Sequence, residues 1–284
     1  LDSLPDISII ASERPFSYRS TTQWQYDGQS NAIGYYRRGT HEVISIEECP
    51  LLIPELQDRL LWLSDEIGPK DRSSAVLRIE AAAGDDVEIS VNAPEFGIDP
   101  IDIRDSSSGE SISFSASVFF QGNRSLLKQL VETTVGDEKG SHAVDLYCGA
   151  GLFTLALARR FDSVKGVEEN KEAVRYARMN AEAAGLPNVE FYAESVGNYL
   201  GSTNIMRPDL VLLDPPRSGT EKGLINSIVS LEPARVVYVS CDPAMLARDL
   251  REFAENGYHA DSITAIDLFP QTHHVETVAR LIRK

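Results

Sequence analysis

A doubly wound parallel α/β sheet, preceded by a smaller β-rich region with one helix, is the fold class that three features of this 284-residue chain predict. From Phe119 onward, short apolar strand patterns alternate with helical ones, which is the signature of stacked βαβ units. Near the start of that alternation a turn, Cys148-Gly149-Ala150-Gly151, separates a strand pattern from a helix pattern. Before about residue 115 the chain reads instead as short strands broken by turn residues, with helical spacing once. Two domains follow, 1–115 and 116–284, in a α/β chain with an α+β N-terminal part.

Taken in order, Thr21 to Tyr26 and Ala32 to Tyr36 carry strand-forming residues with Asp27-Gly28 as the turn signal between them, and Glu42 to Ile46 continues the pattern. Leu56, Leu60 and Leu63 fall at helical spacing within Pro54 to Ile67. Ala75 to Ala82 and Asp86 to Val91 are predicted as two further strands joined around Gly84. Arg14, Arg19, Arg37 and Arg38 are interleaved with Tyr18, Trp24, Tyr35 and Tyr36. That mixture suits phosphate contact and base stacking on single-stranded RNA, and equally an ordinary two-sided sheet with arginines in solvent.

In the second region the predicted strands are Ala143 to Tyr147, Ser163 to Glu168, Val189 to Tyr192, Leu210 to Leu213 and Arg235 to Ser240. Helices are predicted between them, notably Leu152 to Arg160 and Lys171 to Ala184, the latter ended by Gly185. Two closing strands end the chain. The last parallel strand stops at Ser240-Cys241-Asp242-Pro243, and the proline opens a helical pattern from Ala244 to Glu255. Residues just past the carboxyl end of such a strand line the ligand crevice. A thiol there, beside a helix N-terminus, can have its pKa lowered toward the nucleophilic thiolate. A small buried apolar cysteine is the competing reading, and position alone leaves both open.

Composition bounds the function. Hydrophobic residues at 42% and charged residues at 25% are those of a soluble globular chain. No apolar run approaches the roughly 20 residues of a membrane span, so no membrane partner is expected. The opening Leu-Asp-Ser-Leu-Pro-Asp reads as no signal peptide, and a chain beginning with Leu fits a fragment of a longer product. Cys49, Cys148 and Cys241 are too scattered for a disulfide framework, which points to a reducing, cytoplasmic setting. A formal net charge of −16 opposes a wholesale polyanion-binding surface, so any RNA contact must rest on local positive potential.

The turn Asp145-Leu146-Tyr147-Cys148-Gly149-Ala150-Gly151 lets the backbone approach a ligand closely. Glu168 closes the next strand, 168 − 149 = 19 residues beyond the first glycine, where an acidic side chain can accept from ribose hydroxyls. Position 154 is Thr, so the three-glycine dinucleotide fingerprint is incomplete, and a single nucleoside without a pyrophosphate suits the turn better than NAD. Asp214-Pro215-Pro216 ends the fourth strand, placing one carboxylate and a kinked backbone at the crevice, or simply stopping a strand.

Together these residues resemble the S-adenosylmethionine-dependent RNA uracil-5-methyltransferases of the Cys-nucleophile type. The resemblance is carried by Phe119-Phe-Gln-Gly-Asn123, Asp145-Leu-Tyr-Cys-Gly-Ala-Gly151, Leu213-Asp-Pro-Pro-Arg-Ser-Gly219, Val239-Ser-Cys-Asp-Pro243 and Asp267-Leu-Phe-Pro-Gln-Thr-His-His-Val-Glu-Thr277. With Ser12-Glu-Arg-Pro15, Tyr18-Arg19 and Glu48-Cys-Pro-Leu51 it spans almost the whole chain, and its five main motifs stand in the family's order. It implies a Rossmann-like class I methyltransferase domain behind an RNA-binding domain, acting as a monomer on rRNA or tRNA. It implies that Gln121, Tyr147, Gly149, Glu168 and Asp214 hold S-adenosylmethionine, that Cys241 is the nucleophile and Glu276 the base, and that Glu194 or Ser195 lies near the adenine. No metal site is expected within the chain. Some members hold a [4Fe–4S] cluster whose last cysteine stands in a Cys-Pro-Leu context like Cys49-Pro50-Leu51. Cys49 is then a candidate ligand only if an upstream segment supplies the other three. His273 and His274 are expected to make local hydrogen bonds.

Carbon 5 of uracil is a poor nucleophile unaided, and a thiolate adding at carbon 6 makes it an enolate, which explains the need for a cysteine. Losing the carbon 5 proton then needs a positioned base. The target base must leave its stack, as a loop nucleotide can. An RNA adenine or cytosine methyltransferase shares the fold, but adenine enzymes carry an aromatic where Arg217 stands, and cytosine-5 enzymes carry their cysteine in another context. An RNA-binding protein with an inactive methyltransferase fold is the reading from a different class; the presence of Cys241, Asp214 and Glu276 together argues against it.

Overall fold

The structure is a computed structural model that describes residues 5–67, 75–202 and 206–283. The N-terminal elements are β1 (Ile7–Ile10), β2 (Thr21–Asp27), β3 (Ala32–Tyr36), β4 (Val43–Ser45), α1 (Pro54–Ile67), β5 (Val76–Ala83), β6 (Ile89–Asn92), β7 (Ile103–Asp105) and β8 (Ile112–Phe114). Strands β4-β3-β2-β5-β6 form an antiparallel sheet in that order. Helix α1 lays Leu56, Leu60, Leu63 and Ile67 on it, against Trp24, Tyr26, Ile33, Ile79 and Val91. The predicted strand Asp86 to Val91 begins late, because Asp85–Val87 form a 3₁₀ turn with Asp86 at φ 53°. Aspartates following a glycine favour such a turn over a strand.

The Arg/aromatic cluster separates on folding. Trp24 and Tyr18 are buried and Tyr35 is half-buried with its hydroxyl 2.9 Å from that of Thr22. Only Tyr36 of the four aromatics is exposed, with its neighbours Arg37 and Arg38. Tertiary packing claimed three of the four rings that sequence reading offered for base stacking.

The second region runs α2 (Leu127–Val135), β9 (Gly140–Leu146), α3 (Leu152–Ala158), β10 (Phe161–Glu168), α4 (Lys171–Ala183), β11 (Val189–Ala193), α5 (Val196–Leu200), β12 (Leu210–Leu213), α6 (Leu224–Ser230), β13 (Arg235–Ser240), α7 (Pro243–Glu255), β14 (Tyr258–Ile266) and β15 (Glu276–Arg283). One sheet has the order β1-β14-β15-β13-β12-β9-β10-β11. Strands β9 to β13 are mutually parallel, while β15 is antiparallel to both β13 and β14. Side chains alternate between the two faces. Leu210, Leu212, Val237 and Val239 meet α2 and α3, and Val211, Leu213, Val236 and Tyr238 meet α5, α6 and α7. Because both faces are covered, β12 is a continuous apolar run with every residue buried.

Strand order reverses between β9 and β12, so the ligand crevice of a doubly wound sheet falls at their carboxyl ends. The two regions interlock beside it. Ser20 N–H donates to the Gly122 carbonyl at 2.7 Å, Asn123 Nδ2 donates to the Leu268 carbonyl at 3.0 Å, and the Tyr18 hydroxyl donates to the Pro270 carbonyl at 3.1 Å. Strand β1, from the N-terminal region, pairs parallel with β14 at the edge of the large sheet, Ile7 opposite Ile263. Ile103, Ile112 and Phe114 of β7 and β8 join the core of the large sheet as well.

Candidate active site

Register delivers the site. Leu146 of β9 lies opposite Leu213 of β12, which lies opposite Tyr238 of β13, so the residues after these strands share one edge. Across the antiparallel pair, Ser240 faces Thr277, which sets Cys241 and Glu276 at the same edge. Tyr147, Asp214, Cys241 and Glu276, taken from four separate stretches of sequence, thus converge on one crevice.

The turn after β9 is shaped for close approach. Tyr147 itself has φ 65°, a left-handed conformation costly for a non-glycine residue, and Gly149 follows at φ 52° with open space where a Cβ would stand. Glu168 at the end of β10 ties this turn down, its Oε2 accepting from Gly149 N–H at 3.2 Å and its Oε1 from Asn170 N–H at 2.8 Å. Burial, then Glu221, Asp249 and Glu168, push the Tyr147 hydroxyl up to about 12, so the phenol stays neutral. Gln121 is 5% exposed and its Oε1 has no partner among the described residues.

The crevice holds a surplus of carboxyls. Asp145 is fully buried; its Oδ2 accepts from the Thr154 hydroxyl at 2.5 Å and its Oδ1 has no partner. Burial, with Glu168 adding to it, pushes Asp145 up to about 7. Half-buried Asp214 is pushed up to about 7 by burial and by Asp145. Glu276 is 2% exposed with Oε1 unpartnered; burial and Asp214 raise it well above the ordinary carboxyl range, with Arg217 pulling the other way. Two unpartnered carboxyl oxygens in the crevice suit a ligand that brings positive charge and hydrogen-bond donors.

Cys241 is half-buried, and its thiol is raised rather than lowered. Burial is the main cause, Glu276 and Asp214 add to it, and the nearby Arg217 guanidinium works against them. The expected help from the helix N-terminus is absent for a simple reason. Asp242 caps α7, its Oδ1 accepting from Ala244 N–H at 2.9 Å and Met245 N–H at 3.1 Å, so those donors already face a carboxylate. His274 lies against the Cys241 main chain and Arg217, and burial and that guanidinium lower its pKa; it is a site neighbour that sequence reading left without a role. Ser195 caps α5, accepting from Asn198 N–H at 3.3 Å.

Sequence reasoning quoted Asp145 only as a motif letter and used Arg217 only to set aside adenine methylation, giving neither a place in the site. The signal that finds Asp145 is its position, an acidic residue among Ala143, Val144 and Leu146 in the buried half of β9, two residues before the turn. Cys49 lies apart from this crevice, half-buried, with its N–H on Gln57 Oε1 at 2.9 Å. Among the described residues no three His, Cys, Asp or Glu side chains are grouped as metal ligands, and no helix is long and apolar enough to cross a membrane.

Doubly wound strand order, a glycine turn after β9 and a crevice at the switch point are the features of a class I methyltransferase fold, and the molecule has that fold. The profile of the tRNA (uracil-5-)-methyltransferase family matches residues 108–284, and the chain belongs to that family. A curated relative from Streptomyces avermitilis, described as an uncharacterised RNA methyltransferase, is 34% identical over 99% of this chain and 69% of its own length. One from Nostoc sp., with a similar description, is 30% identical over 96% of this chain and 72% of its own. Among solved structures, the Pyrococcus abyssi tRNA (uracil-54, C5)-methyltransferase in complex with S-adenosyl-L-homocysteine superposes with a TM-score of 0.77 at 25% identity, covering 98% of this chain and 79% of that one. The chain is an RNA methyltransferase of the uracil-5 family type.

Proposed function

We propose that this protein methylates carbon 5 of a uridine in rRNA or tRNA, using S-adenosylmethionine and a covalent adduct through Cys241. The observation that supports this reading is the pairing of β13 with β15, which brings the Cys241 thiol and the Glu276 carboxyl to one strand edge. Gln121, Tyr147, Gly149, Glu168 and Asp214 hold the cofactor in this reading. The unpartnered oxygens of Gln121 and Asp145 and the surplus of raised carboxyls fit its amino group and positive sulfur. When bound, S-adenosylmethionine supplies an electrophilic methyl group.

The chain's own residues do the rest. Cys241 loses its proton and its sulfur adds to carbon 6 of the flipped-out base, with the Arg217 guanidinium favouring the thiolate. The electron pair displaced onto the ring makes carbon 5 nucleophilic for the methyl group. Glu276, as carboxylate, then takes the carbon 5 proton, and the carbon 6–sulfur bond breaks to restore the double bond and the thiolate. A carboxyl whose pKa is raised by burial is a stronger proton acceptor once ionised, and Arg217 helps to ionise it. The N-terminal domain, 1–115, holds the RNA, with exposed Arg14, Arg37, Arg38 and Tyr36 as the contact set, and the free thiols suit a cytoplasmic site of action.

The test is mass spectrometry of the protein mixed with S-adenosylmethionine and 5-fluorouridine-substituted RNA. Fluorine cannot leave as a proton, so the enzyme stalls as an adduct on Cys241 that Cys241→Ala abolishes. Absence of an adduct with every transfer and ribosomal RNA tried, in a protein that binds S-adenosylmethionine, and again in a version carrying the relatives' additional length, refutes the reading.

A further inference from the structure

Outside the crevice the most heavily bonded charge in the catalytic domain is Asp249, 1% exposed, on the inner face of α7. Its Oδ2 accepts from the Tyr238 hydroxyl at 2.6 Å, from the Thr220 hydroxyl at 2.9 Å and from Thr220 N–H at 3.1 Å, and its Oδ1 accepts from Arg248 Nε at 2.7 Å. Arg248 Nη2 in turn donates to the Thr220 carbonyl at 3.0 Å. These partners belong to the pieces that build the site. Tyr238 lies on β13, which leads into Cys241. Thr220 ends the loop that starts at Asp214 and carries Arg217. That loop is pressed onto α7: a Cβ on Gly219, at φ 74°, would stand 2.6 Å from Arg248 Nη2 and 3.2 Å from Asp249 Oδ2. The Asp214–Thr220 loop is thereby pinned at both ends, at one by β12 and at the other by Asp249.

We propose that Asp249 is a positioning residue of the reaction, locking the Asp214–Thr220 loop to β13 so that the Arg217 guanidinium is held at the Cys241 sulfur. The proposal rests on Cys241 being the nucleophile. Burial opposes the Asp249 charge, but the bonds from Arg248, Tyr238 and Thr220 outweigh it and keep the carboxyl below its ordinary value, so the lock is an ionised one. The thiol itself faces Glu276 from β15, Asp214 and Arg217 from the loop, and has His274 and Asp242 beside its main chain. Of these, Arg217 alone lowers its pKa, and Arg217 is exposed, with no ion pair among the described residues to hold it elsewhere. Its place at the sulfur therefore depends on the loop.

The test reads Cys241 on the protein itself, without RNA, so it stands even if uracil methylation fails. The rate of iodoacetamide alkylation of the Cys241 peptide is followed by mass spectrometry across pH, which separates it from Cys49 and Cys148. Arg217→Met is expected to raise the midpoint by about one pH unit, which is about tenfold slower alkylation below the midpoint. Asp249→Ala is expected to raise it in the same direction, and the double variant to lie no higher than Arg217→Met alone, because both act through one contact. Tyr238→Phe, a milder cut of the same tie, gives a smaller rise and serves if Asp249→Ala does not fold. Single-turnover methyl transfer by Asp249→Ala is expected to fall at least about tenfold with S-adenosylmethionine affinity within about threefold. An unchanged midpoint in Arg217→Met, unchanged midpoints in Asp249→Ala and Tyr238→Phe, or additive shifts in the double variant overturns the proposal.

Discussion

Replacing Asp145 with Asn isolates the cost of keeping a carboxyl inside this crevice. Asp145 is fully buried, one oxygen is unpartnered, and its pKa is pushed up from 3.8 to about 7. A raised carboxyl is neutral in both folded and unfolded chains below about pH 3.8. As pH rises the unfolded chain ionises first, and stability falls until the folded pKa is passed. The shift of about 3 units, at about 1.4 kcal/mol per unit, makes the loss about 4 kcal/mol by pH 8. About half of it, roughly 2 kcal/mol, falls between pH 5.5 and 8. Asparagine has the same shape, keeps an oxygen for the Thr154 hydroxyl, and carries no charge. Relative to the wild type, Asp145→Asn is therefore more stable at pH 8, and its advantage shrinks toward acid. Urea titrations at pH 5.5, 6.5, 7.5 and 8 measure this, followed by circular dichroism because Trp24 and Trp62 both lie in the N-terminal domain. Curves for the two proteins that stay parallel across this range, or a gap that widens toward acid, refute the buried-charge account.

Glu276→Gln keeps the volume and removes the proposed base, so ordinary RNA should accumulate as an adduct on Cys241 while release of methylated RNA falls on the order of 10²-fold or more, read on a denaturing gel. Asn180→Ala breaks the clasp between β8 and the glycine turn, where Asn180 accepts from Ser113 N–H at 2.8 Å and donates to the Ser113 and Ala150 carbonyls at 2.9 and 3.0 Å. Its stability should drop by about 2–4 kcal/mol in denaturant titration. Leu60→Ala, at the fully buried centre of α1, should cost about 2–5 kcal/mol, seen as an earlier loss of native Trp24 fluorescence.

The parallel strands and their helices were legible because burial on two faces writes uninterrupted apolar runs, as in Leu210–Leu213 and Arg235–Ser240. Strand β1 was not. Its Ile7 and Ile9 are exposed, and it extends a sheet edge whose partner Ile263 stands 263 − 7 = 256 residues away in sequence, which no local pattern records. Position found Cys241, Asp214 and Glu168, each at the end of a recognisable strand. Their protonation was not legible, since the expected low thiol pKa depended on helix donors that Asp242 turns out to occupy. Asp249 was invisible for a related reason: one acidic letter in an amphipathic helix gives no hint that it faces inward.

Glu276 shows how much rests on the direction of one strand. Every parallel strand brings its last residue to the crevice edge and its first residue to the far side. Were β15 parallel, its first residue would stand a strand's length away, roughly 26 Å for its 8 residues. Running antiparallel between β13 and β14 reverses this, so the start of β15, with Thr277 opposite Ser240, meets the end of β13. The same reversal puts the connection between β14 and β15 at the carboxyl-end edge of β13, where the Pro270 carbonyl accepts from the Tyr18 hydroxyl and the Leu268 carbonyl from Asn123 Nδ2. A carboxyl at the crevice edge and a tie to the N-terminal region thus come from one departure from the parallel rule. That departure gives a doubly wound fold the second functional group that the proposed carbon 5 chemistry requires.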